Sequence, residues 1–108
     1  MLPSDLAKYK EKSQKIIALT AWDCISGSLA EQANVDLVLV GDSLAMVCLG
    51  YKSTLPLTLE NIIYHTNAVS RGFTKKIEEQ PLIVADMPFL TYQCGEDKAV
   101  EYAGKIIQ

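Results

Sequence analysis

Three short aliphatic runs, each followed closely by an aspartate, constrain the fold of this chain more than any other feature. The runs lie at residues 16–19, 37–40 and 82–85. Uninterrupted aliphatic runs of this length are typical of parallel strands covered on both faces, because a strand with one solvated face alternates apolar and polar residues. The sequence therefore predicts a sheet of parallel strands.

Helical patterns separate and follow these runs. Residues 26–34 predict a short helix with one apolar face. Residues 58–71 have the clearest helical spacing, with Thr58 suited to the N-cap and Gly72 placed to end the helix. A third helical spacing covers residues 96–108. Strand–helix units that follow one another along a chain predict an α/β fold.

Two further segments complete the expected fold. Leu2, Leu6 and Tyr9 have a helical spacing, which predicts a short N-terminal helix before the first strand. Residues 73–80 are rich in charge and predict a surface loop, and Pro81 begins the third strand. No repeat or linker divides the 108 residues, so a single domain is expected.

Composition excludes several classes of function. The net charge of −3 argues against a nucleic-acid surface, which is normally basic. No run approaches the roughly 20 apolar residues of a membrane helix, and the N-terminus lacks the order of a signal peptide, so a cytoplasmic protein is expected. The three cysteines are far apart and form no CxxC pair, which predicts buried or half-buried free thiols rather than disulfides or a zinc site.

The aspartates after the strands are the candidate binding residues. Ligands of parallel α/β folds bind at the carboxyl ends of the strands, where Asp23, Asp42 and Asp86 would meet. Oxygen ligands without histidine or cysteine suit Mg²⁺ better than Zn²⁺. The alternative is that these aspartates cap the helices that follow, and Asp23, directly before a helix, fits that alternative best.

Other reactive side chains have simpler interpretations. His65 lies near the apolar stripe of the 58–71 helix, which favours a packed or hydrogen-bonded structural role over a catalytic one. Ser43 has no evident His–Asp partner, which argues against a nucleophile. Trp22 and Tyr92, beside strand ends, line a pocket or pack in the core. No glycine-rich phosphate loop is present.

Three stretches match a known family in order and nearly in spacing. They are LTAWD, LVLVGDSLAMVCLGYKSTLPLTLENIIYHTNAVSRG and VADMPF. The chain resembles the ketopantoate hydroxymethyltransferases, and the segment 41–72 carries the specific motifs. The resemblance implies a (β/α)8 barrel, of which this chain would supply the first three βα units after a short helix, residues 1–108 forming the N-terminal part of one domain.

The resemblance also implies an activity and its residues. The family transfers a hydroxymethyl group from 5,10-methylenetetrahydrofolate to 3-methyl-2-oxobutanoate, with Mg²⁺ as cofactor. Asp42 and Asp86 would bind the metal and the α-keto acid, and Ser43 would hydrogen-bond the substrate. The family's Lys and Glu of a K.EG motif and its general-base glutamate would lie beyond residue 108, so no catalytic base is assigned here.

The sequence departs from the family at two positions near the site, with Trp22 in place of Tyr and Ala45 in place of Gly. Two alternatives stay open. Other Mg²⁺-dependent α-keto-acid barrels, such as phosphoenolpyruvate mutases and isocitrate lyases, also place aspartates at strand ends. The 108-residue chain by itself is expected to be inactive, as a folded or oligomer-forming remnant. The intact protein is expected to be a homo-oligomer that binds neither nucleic acid nor membrane.

Overall fold

A computed structural model of the chain describes residues 1–88 and 96–107. The elements along the chain are α1 (Asp5–Glu11), β1 (Ala18–Thr20), α2 (Cys24–Gln32), β2 (Leu37–Val40), α3 (Leu44–Val47), α4 (Leu59–Arg71), a 3₁₀ turn (Ile77–Glu79), β3 (Leu82–Ala85) and α5 (Glu96–Ile107). The predicted short N-terminal helix and the succession of strand–helix units are confirmed. Tyr92, Cys94 and Gln108 lie outside the described residues.

The strands form one parallel sheet in the order β1-β2-β3, which confirms the parallel sheet predicted from the aliphatic runs. Leu39 of β2 pairs with Thr20 on one side and with Val84 on the other. Because all the strands run in one direction, the loops after β1, β2 and β3 lie along the same edge of the sheet. The fold is therefore mixed α/β with a shared carboxyl edge.

The core lies between this sheet and the helices α2 and α4. Val38 and Val40 point from β2 into it and are fully buried, as are Ile62 and Val69 of α4. Ile83 and Ala85 of β3 pack against the same cluster. Helices that cover one face of a parallel sheet bury its aliphatic side chains in this way.

Helix α2 begins two residues earlier than predicted and also ends earlier, at Gln32 rather than at residue 34. The earlier start has a local cause, because Asp23 is the N-cap and its carboxylate accepts a hydrogen bond from the Ser26 amide at 2.7 Å. The Ser26 hydroxyl in turn accepts a hydrogen bond from the Asp23 amide, which completes a capping box. Asn34, with φ of 58°, turns the chain away from the helix.

Helix α4 has the bounds that the sequence predicts. The Thr58 hydroxyl caps it by accepting a hydrogen bond from the Asn61 amide at 3.1 Å. The Asn61 side-chain oxygen in turn accepts a hydrogen bond from the Thr58 amide. Gly72 follows the last residue of α4 and has a right-handed conformation. Glycine is common after helices because it adopts the left-handed conformation easily, but that reason does not apply to Gly72. A Cβ at Gly72 would meet the Cys24 carbonyl, which makes close helix packing the reason for this glycine.

Strand β1 differs from the prediction. It covers Ala18–Thr20 rather than residues 16–19, and all of its residues are exposed. The aliphatic run predicted burial on both faces, but β1 is an edge strand of the sheet in the described part of the chain. Leu19 is consequently 47% exposed even though its neighbour in the register, Val38, is fully buried.

Two connections are more structured than predicted. The segment after β2 contains the short helix α3, which was not predicted. The 73–80 segment contains a 3₁₀ turn, and Phe73 at its start is only 8% exposed, so it is not simply a surface loop. Cys24 and Cys48 are free, as predicted, but both are exposed rather than buried.

Helix α1 and the N-terminus close the amino end of the sheet. The Tyr9 hydroxyl donates a hydrogen bond to the Asp36 carboxylate at 2.9 Å, immediately before β2. The terminal amine of Met1 donates to the carbonyl of Gln80 at 2.7 Å, shortly before β3. Within residues 1–88 and 96–107, no helix combines the length and the apolar character needed to cross a membrane.

Candidate active site at the carboxyl edge of the sheet

Asp42 and Asp86 follow neighbouring strands and lie together. Asp86 comes directly after β3, and its amide donates to the Val40 carbonyl at 3.1 Å, which extends the β2–β3 ladder by one residue. The Asp86 carboxylate oxygen Oδ2 accepts a hydrogen bond from the Asp42 amide at 3.1 Å. The structure therefore brings together two of the three predicted aspartates at one edge.

The third aspartate, Asp23, has a different task. Its carboxylate accepts hydrogen bonds from the Ser26 amide and the Ser26 hydroxyl, at 2.7 and 2.8 Å. The hydrogen bond from the Ser26 amide, above all, lowers the pKa of Asp23, because it stabilises the ionised carboxylate. Asp23 is thus committed to capping α2, which was the alternative interpretation at sequence level.

The donor set at this edge consists of carboxylate oxygens. In the part of the chain that the structure describes, no three histidine, cysteine, aspartate or glutamate side chains cluster closely enough to hold a metal ion. Asp42 and Asp86 nevertheless offer two carboxylates, both half-buried. Mg²⁺ commonly takes one or two carboxylates from a protein and completes its shell with substrate oxygens and water. The pair fits such a hard cation.

Ser43 follows Asp42 and lies at the N-terminal side of α3. Its side chain is exposed and makes no hydrogen bond that caps the helix. The hydroxyl is therefore oriented by its position on the turn rather than by a local partner, and it can donate to, or accept from, a ligand at the strand ends. Ser43 lies near this edge because it directly follows Asp42 in the chain, and its hydrogen bond to a substrate stays a prediction.

A small cleft of about 40 Å³ lies between the ends of β1 and β2. Trp22, Gly41, Ser43 and Cys48 contribute to its walls. Partial burial and the negative charge of Asp23 raise the pKa of the Cys48 thiol, so it stays protonated at neutral pH and is a poor nucleophile. The cleft thus combines an indole ring, a hydroxyl and a neutral thiol, and neither Asp42 nor Asp86 is part of its lining.

His65 reaches this edge from α4. Its ring nitrogen Nδ1 contacts the main-chain carbonyl of Trp22, which confirms the hydrogen-bonded structural role expected for it. Sequence reasoning placed His65 on its helix but missed this partner. The two residues are 43 positions apart, and no local pattern indicates which carbonyl a helical histidine will meet.

These features define a class of protein. A parallel α/β sheet with acidic and hydroxyl side chains at the carboxyl ends of neighbouring strands is the architecture of enzymes that bind small ligands at that edge. The family model for ketopantoate hydroxymethyltransferase matches residues 1–108, the whole chain. The chain belongs to the ketopantoate hydroxymethyltransferase family.

Several relatives support this membership. The chain is 94% identical to a 3-methyl-2-oxobutanoate hydroxymethyltransferase of Prochlorococcus marinus strain MIT 9312, over all of its own length and 42% of the relative's. It is 92% identical to the protein of the same name from strain AS9601. It is 55% identical to that of Synechococcus sp. strain CC9605, of which it covers 40%. The chain thus spans about two-fifths of the length of these curated relatives.

Proposed function

We propose that the intact protein transfers a hydroxymethyl group from 5,10-methylenetetrahydrofolate to 3-methyl-2-oxobutanoate and so forms 2-dehydropantoate for pantothenate biosynthesis. The names of the relatives support the hydroxymethyltransferase reaction and its α-keto-acid substrate. The observation that carries the proposal is the hydrogen bond from the Asp42 amide to the Asp86 carboxylate, which joins the loop after β2 to the acid after β3 at the edge where such folds bind ligands.

Asp42 and Asp86 would hold Mg²⁺ in this proposal. When bound, the ion polarises the ketone of the α-keto acid and stabilises the negative charge that develops when C3 loses its proton. The two aspartates follow consecutive parallel strands, and the hydrogen bond from the Asp42 amide to the Asp86 carboxylate joins the two loops in which they lie. Rigid placement of ligands on strands is what a metal with strict geometry needs.

Ser43 and Trp22 would position the α-keto acid. The exposed Ser43 hydroxyl can donate a hydrogen bond to a carboxylate or ketone oxygen next to Asp42. The Trp22 indole forms an apolar wall of the cleft, which holds little more than one water molecule, so the branched aliphatic end of the substrate would contact the indole at the mouth of the cleft. The resemblance implies that the general base is a glutamate beyond residue 108, and no described residue is assigned that role.

The sheet is proposed to be the first part of a (β/α)8 barrel. Its strands are consecutive and parallel, and its helices cover the face that carries Val38 and Val40. The opposite face would then line the barrel interior, with the carboxyl edge as the catalytic rim. Full-length family members are expected to assemble as homo-oligomers, with reduced folate and the α-keto acid as their small-molecule partners.

Replacement of Asp42 tests the proposal in the full-length protein. Asp42→Asn removes one negative oxygen donor while keeping the size of the side chain. We expect formation of 2-dehydropantoate from the keto acid, methylenetetrahydrofolate and Mg²⁺ to fall by about 10³-fold or more, since electrostatic stabilisation of the developing charge is lost. Calorimetric titration with Mg²⁺ in the presence of the keto acid should show weaker binding in the variant.

Asp5→Asn is the matched control, because it makes the same chemical change on α1 at the opposite end of the sheet. It should leave both turnover and Mg²⁺ binding unchanged. Normal turnover in Asp42→Asn would refute the assigned role of Asp42. Wild-type protein that cleaves a C–C or P–C bond of a related keto acid, but forms no 2-dehydropantoate, would instead identify another α-keto-acid barrel enzyme.

A further inference from the structure

The main chain of the β1–α2 turn is held by hydrogen bonds at each residue. The Ala21 amide donates to the Leu39 carbonyl at 3.1 Å, which ties the start of the turn to β2. The Trp22 and Asp23 amides both donate to the Ser26 hydroxyl, at 3.0 and 3.1 Å. The Asp23 carbonyl accepts from the Gly27 amide at 2.9 Å. The Trp22 carbonyl accepts from the side chain of His65.

The contact with His65 differs from the others because it comes from α4. The bonds through Ser26 and Gly27 are local to the turn and the start of α2, whereas His65 lies 43 residues from Trp22. A carbonyl can only accept, so Nδ1 carries the hydrogen in this contact. The edge of the His65 ring also meets the Tyr64 ring at a centroid distance of 5.6 Å.

Fixing both polar groups of Trp22 fixes the direction of its side chain. The amide is held by Ser26 and the carbonyl by His65, so the bond from Cα to Cβ has little freedom. The indole, 36% exposed, then stands at the wall of the cleft that Ser43 also lines. Without the His65 contact, the peptide after Trp22 would be held only through the Asp23 amide and Ser26, and the turn that carries the indole would lose its tie to α4.

We propose that His65 is a positioning residue that sets the substrate pocket by holding the Trp22 carbonyl, and hence the indole, at the wall of the cleft. The proposal rests on the proposed function for the identity of the ligand. His65 touches neither the aspartate pair nor the expected reacting atoms in this arrangement. Its effect should therefore appear in substrate binding rather than in the chemical step.

Two variants of the full-length protein separate positioning from general stability. His65→Leu keeps a branched apolar side chain but removes the donor. His65→Asn keeps an N–H group at the position of Nδ1. We expect His65→Leu to raise the KM for the α-keto acid roughly threefold to tenfold, the range expected for one net hydrogen bond, with kcat little changed. His65→Asn should return the KM close to the wild-type value.

Asn67→Leu is the matched control, since it places leucine on the same helix at an exposed position. It should change neither KM nor kcat. A fall in kcat without a rise in KM for His65→Leu would overturn the proposal, as would equal KM values for His65→Leu and His65→Asn.

Amide hydrogen exchange provides a second measurement that needs no turnover. In His65→Leu, the amides of residues 22–27 should exchange roughly threefold to tenfold faster, while those of β3 stay as in the wild type. His65→Asn should exchange like the wild type. Unchanged exchange in His65→Leu would show that the contact does not hold the turn. If the wild-type protein forms no 2-dehydropantoate, the proposed function fails, but exchange still decides whether His65 holds Trp22.

Discussion

Glu31 is a charged side chain that is 2% exposed, and its hydrogen bonds explain how the fold tolerates it. Its carboxylate accepts from the Thr74 amide at 2.9 Å, the Lys75 amide at 3.2 Å and the Thr74 hydroxyl at 3.2 Å. The Lys75 ammonium group donates to the Glu31 carbonyl and to Asn34. These bonds join the end of α2 to the segment after α4.

The pKa of Glu31 reflects two opposed effects. Burial by itself raises the pKa, because it disfavours the charged form, whereas the hydrogen bonds from Thr74 and Lys75 lower it. The net shift is downward, so the hydrogen bonds outweigh burial. A carboxyl group with a lowered pKa in the folded state stabilises the fold above the pKa it has when unfolded, about 4.3 for glutamate. This stabilisation is lost as the pH falls through the folded-state pKa.

Glu31→Gln in the full-length protein should therefore destabilise the fold in a pH-dependent way. The glutamine side chain would present an NH2 group, which is a donor, in place of one of the two carboxylate oxygens that accept from the main-chain amides of Thr74 and Lys75. We expect the free energy of unfolding in urea to fall by about 1–3 kcal/mol at pH 7, the cost of unsatisfied buried groups. The difference from the wild type should shrink as the pH falls below about 4.3.

Glu60→Gln is the control, because Glu60 is exposed in the first turn of α4. Its effect at pH 7 should stay within about 0.5 kcal/mol, as for most surface substitutions. A difference between wild type and Glu31→Gln that stays constant from pH 7 to pH 3 would contradict the role of the ionised carboxylate.

At the scale of elements, α2 and α4 approach so closely that glycine is required where they meet. A Cβ on Gly27 would lie 2.7 Å from the Val69 carbonyl oxygen and 3.1 Å from Val69 Cα. Gly72 faces the Cys24 carbonyl in the same manner. This contact brings α4 beside the start of α2, and so it brings His65 within reach of the Trp22 carbonyl. The helix packing and the geometry of the cleft are thus coupled.

Gly27→Ala tests this contact in the full-length protein. The methyl group would meet main-chain atoms that cannot move independently, so one helix must shift. We expect a loss of about 1–3 kcal/mol in the free energy of unfolding, as for overpacked sites, despite the better helix propensity of alanine. Chemical denaturation monitored by circular dichroism would measure it.

Gly104→Ala is the matched control for helix propensity. Gly104 lies in α5, and among the described residues, apart from its own helix backbone, no heavy atom lies within 4 Å of a Cβ built there. The substitution should be neutral or should stabilise by up to about 1 kcal/mol. A Gly27→Ala variant as stable as Gly104→Ala would show that the helices can separate at no cost.

For the whole molecule, the two faces of the sheet have different surroundings. Val38 and Val40 of β2 are fully buried beneath the helices. The intervening Leu39 is half-buried, and its neighbour in the register, Val84, is 38% exposed. An apolar face of this kind is expected to be covered when the protein folds completely, because parallel sheets occur with both faces covered.

Leu39→Ala and Val40→Ala compare these faces in the full-length protein. If the sheet is part of a barrel, both residues are buried in the intact protein, Val40 beneath the helices and Leu39 inside the barrel. We expect Leu39→Ala to lower the free energy of unfolding by about 2–5 kcal/mol, the usual cost of a cavity at a buried leucine. Val40→Ala should be destabilising whether or not the sheet is part of a barrel, since the helices of the described chain already bury Val40. A nearly neutral Leu39→Ala beside a destabilising Val40→Ala would contradict the barrel.

The sequence by itself determined the features that depend on neighbouring residues or on a general rule of topology. The aliphatic runs specified parallel strands, and the Thr58 cap specified the start of α4, because both signals act over a few residues. The positions of Asp42 and Asp86 at one edge followed from strand direction alone. Asp23 was open to two interpretations because it lies between a strand end and a helix start. The first position suggests a ligand, and the second suggests an N-cap.

Only the tertiary structure decided the contacts between distant segments. The Asp42 amide meets the Asp86 carboxylate across 44 residues, His65 meets Trp22 across 43, and Glu31 meets Thr74 across 43. It also decided that β1 is an exposed edge strand, although the aliphatic run at residues 16–19, which overlaps it, predicted burial on both faces. The physical reason is that hydrogen-bond partners and burial depend on how helices and strands pack, and that packing is set by close contacts such as Gly27 against Val69.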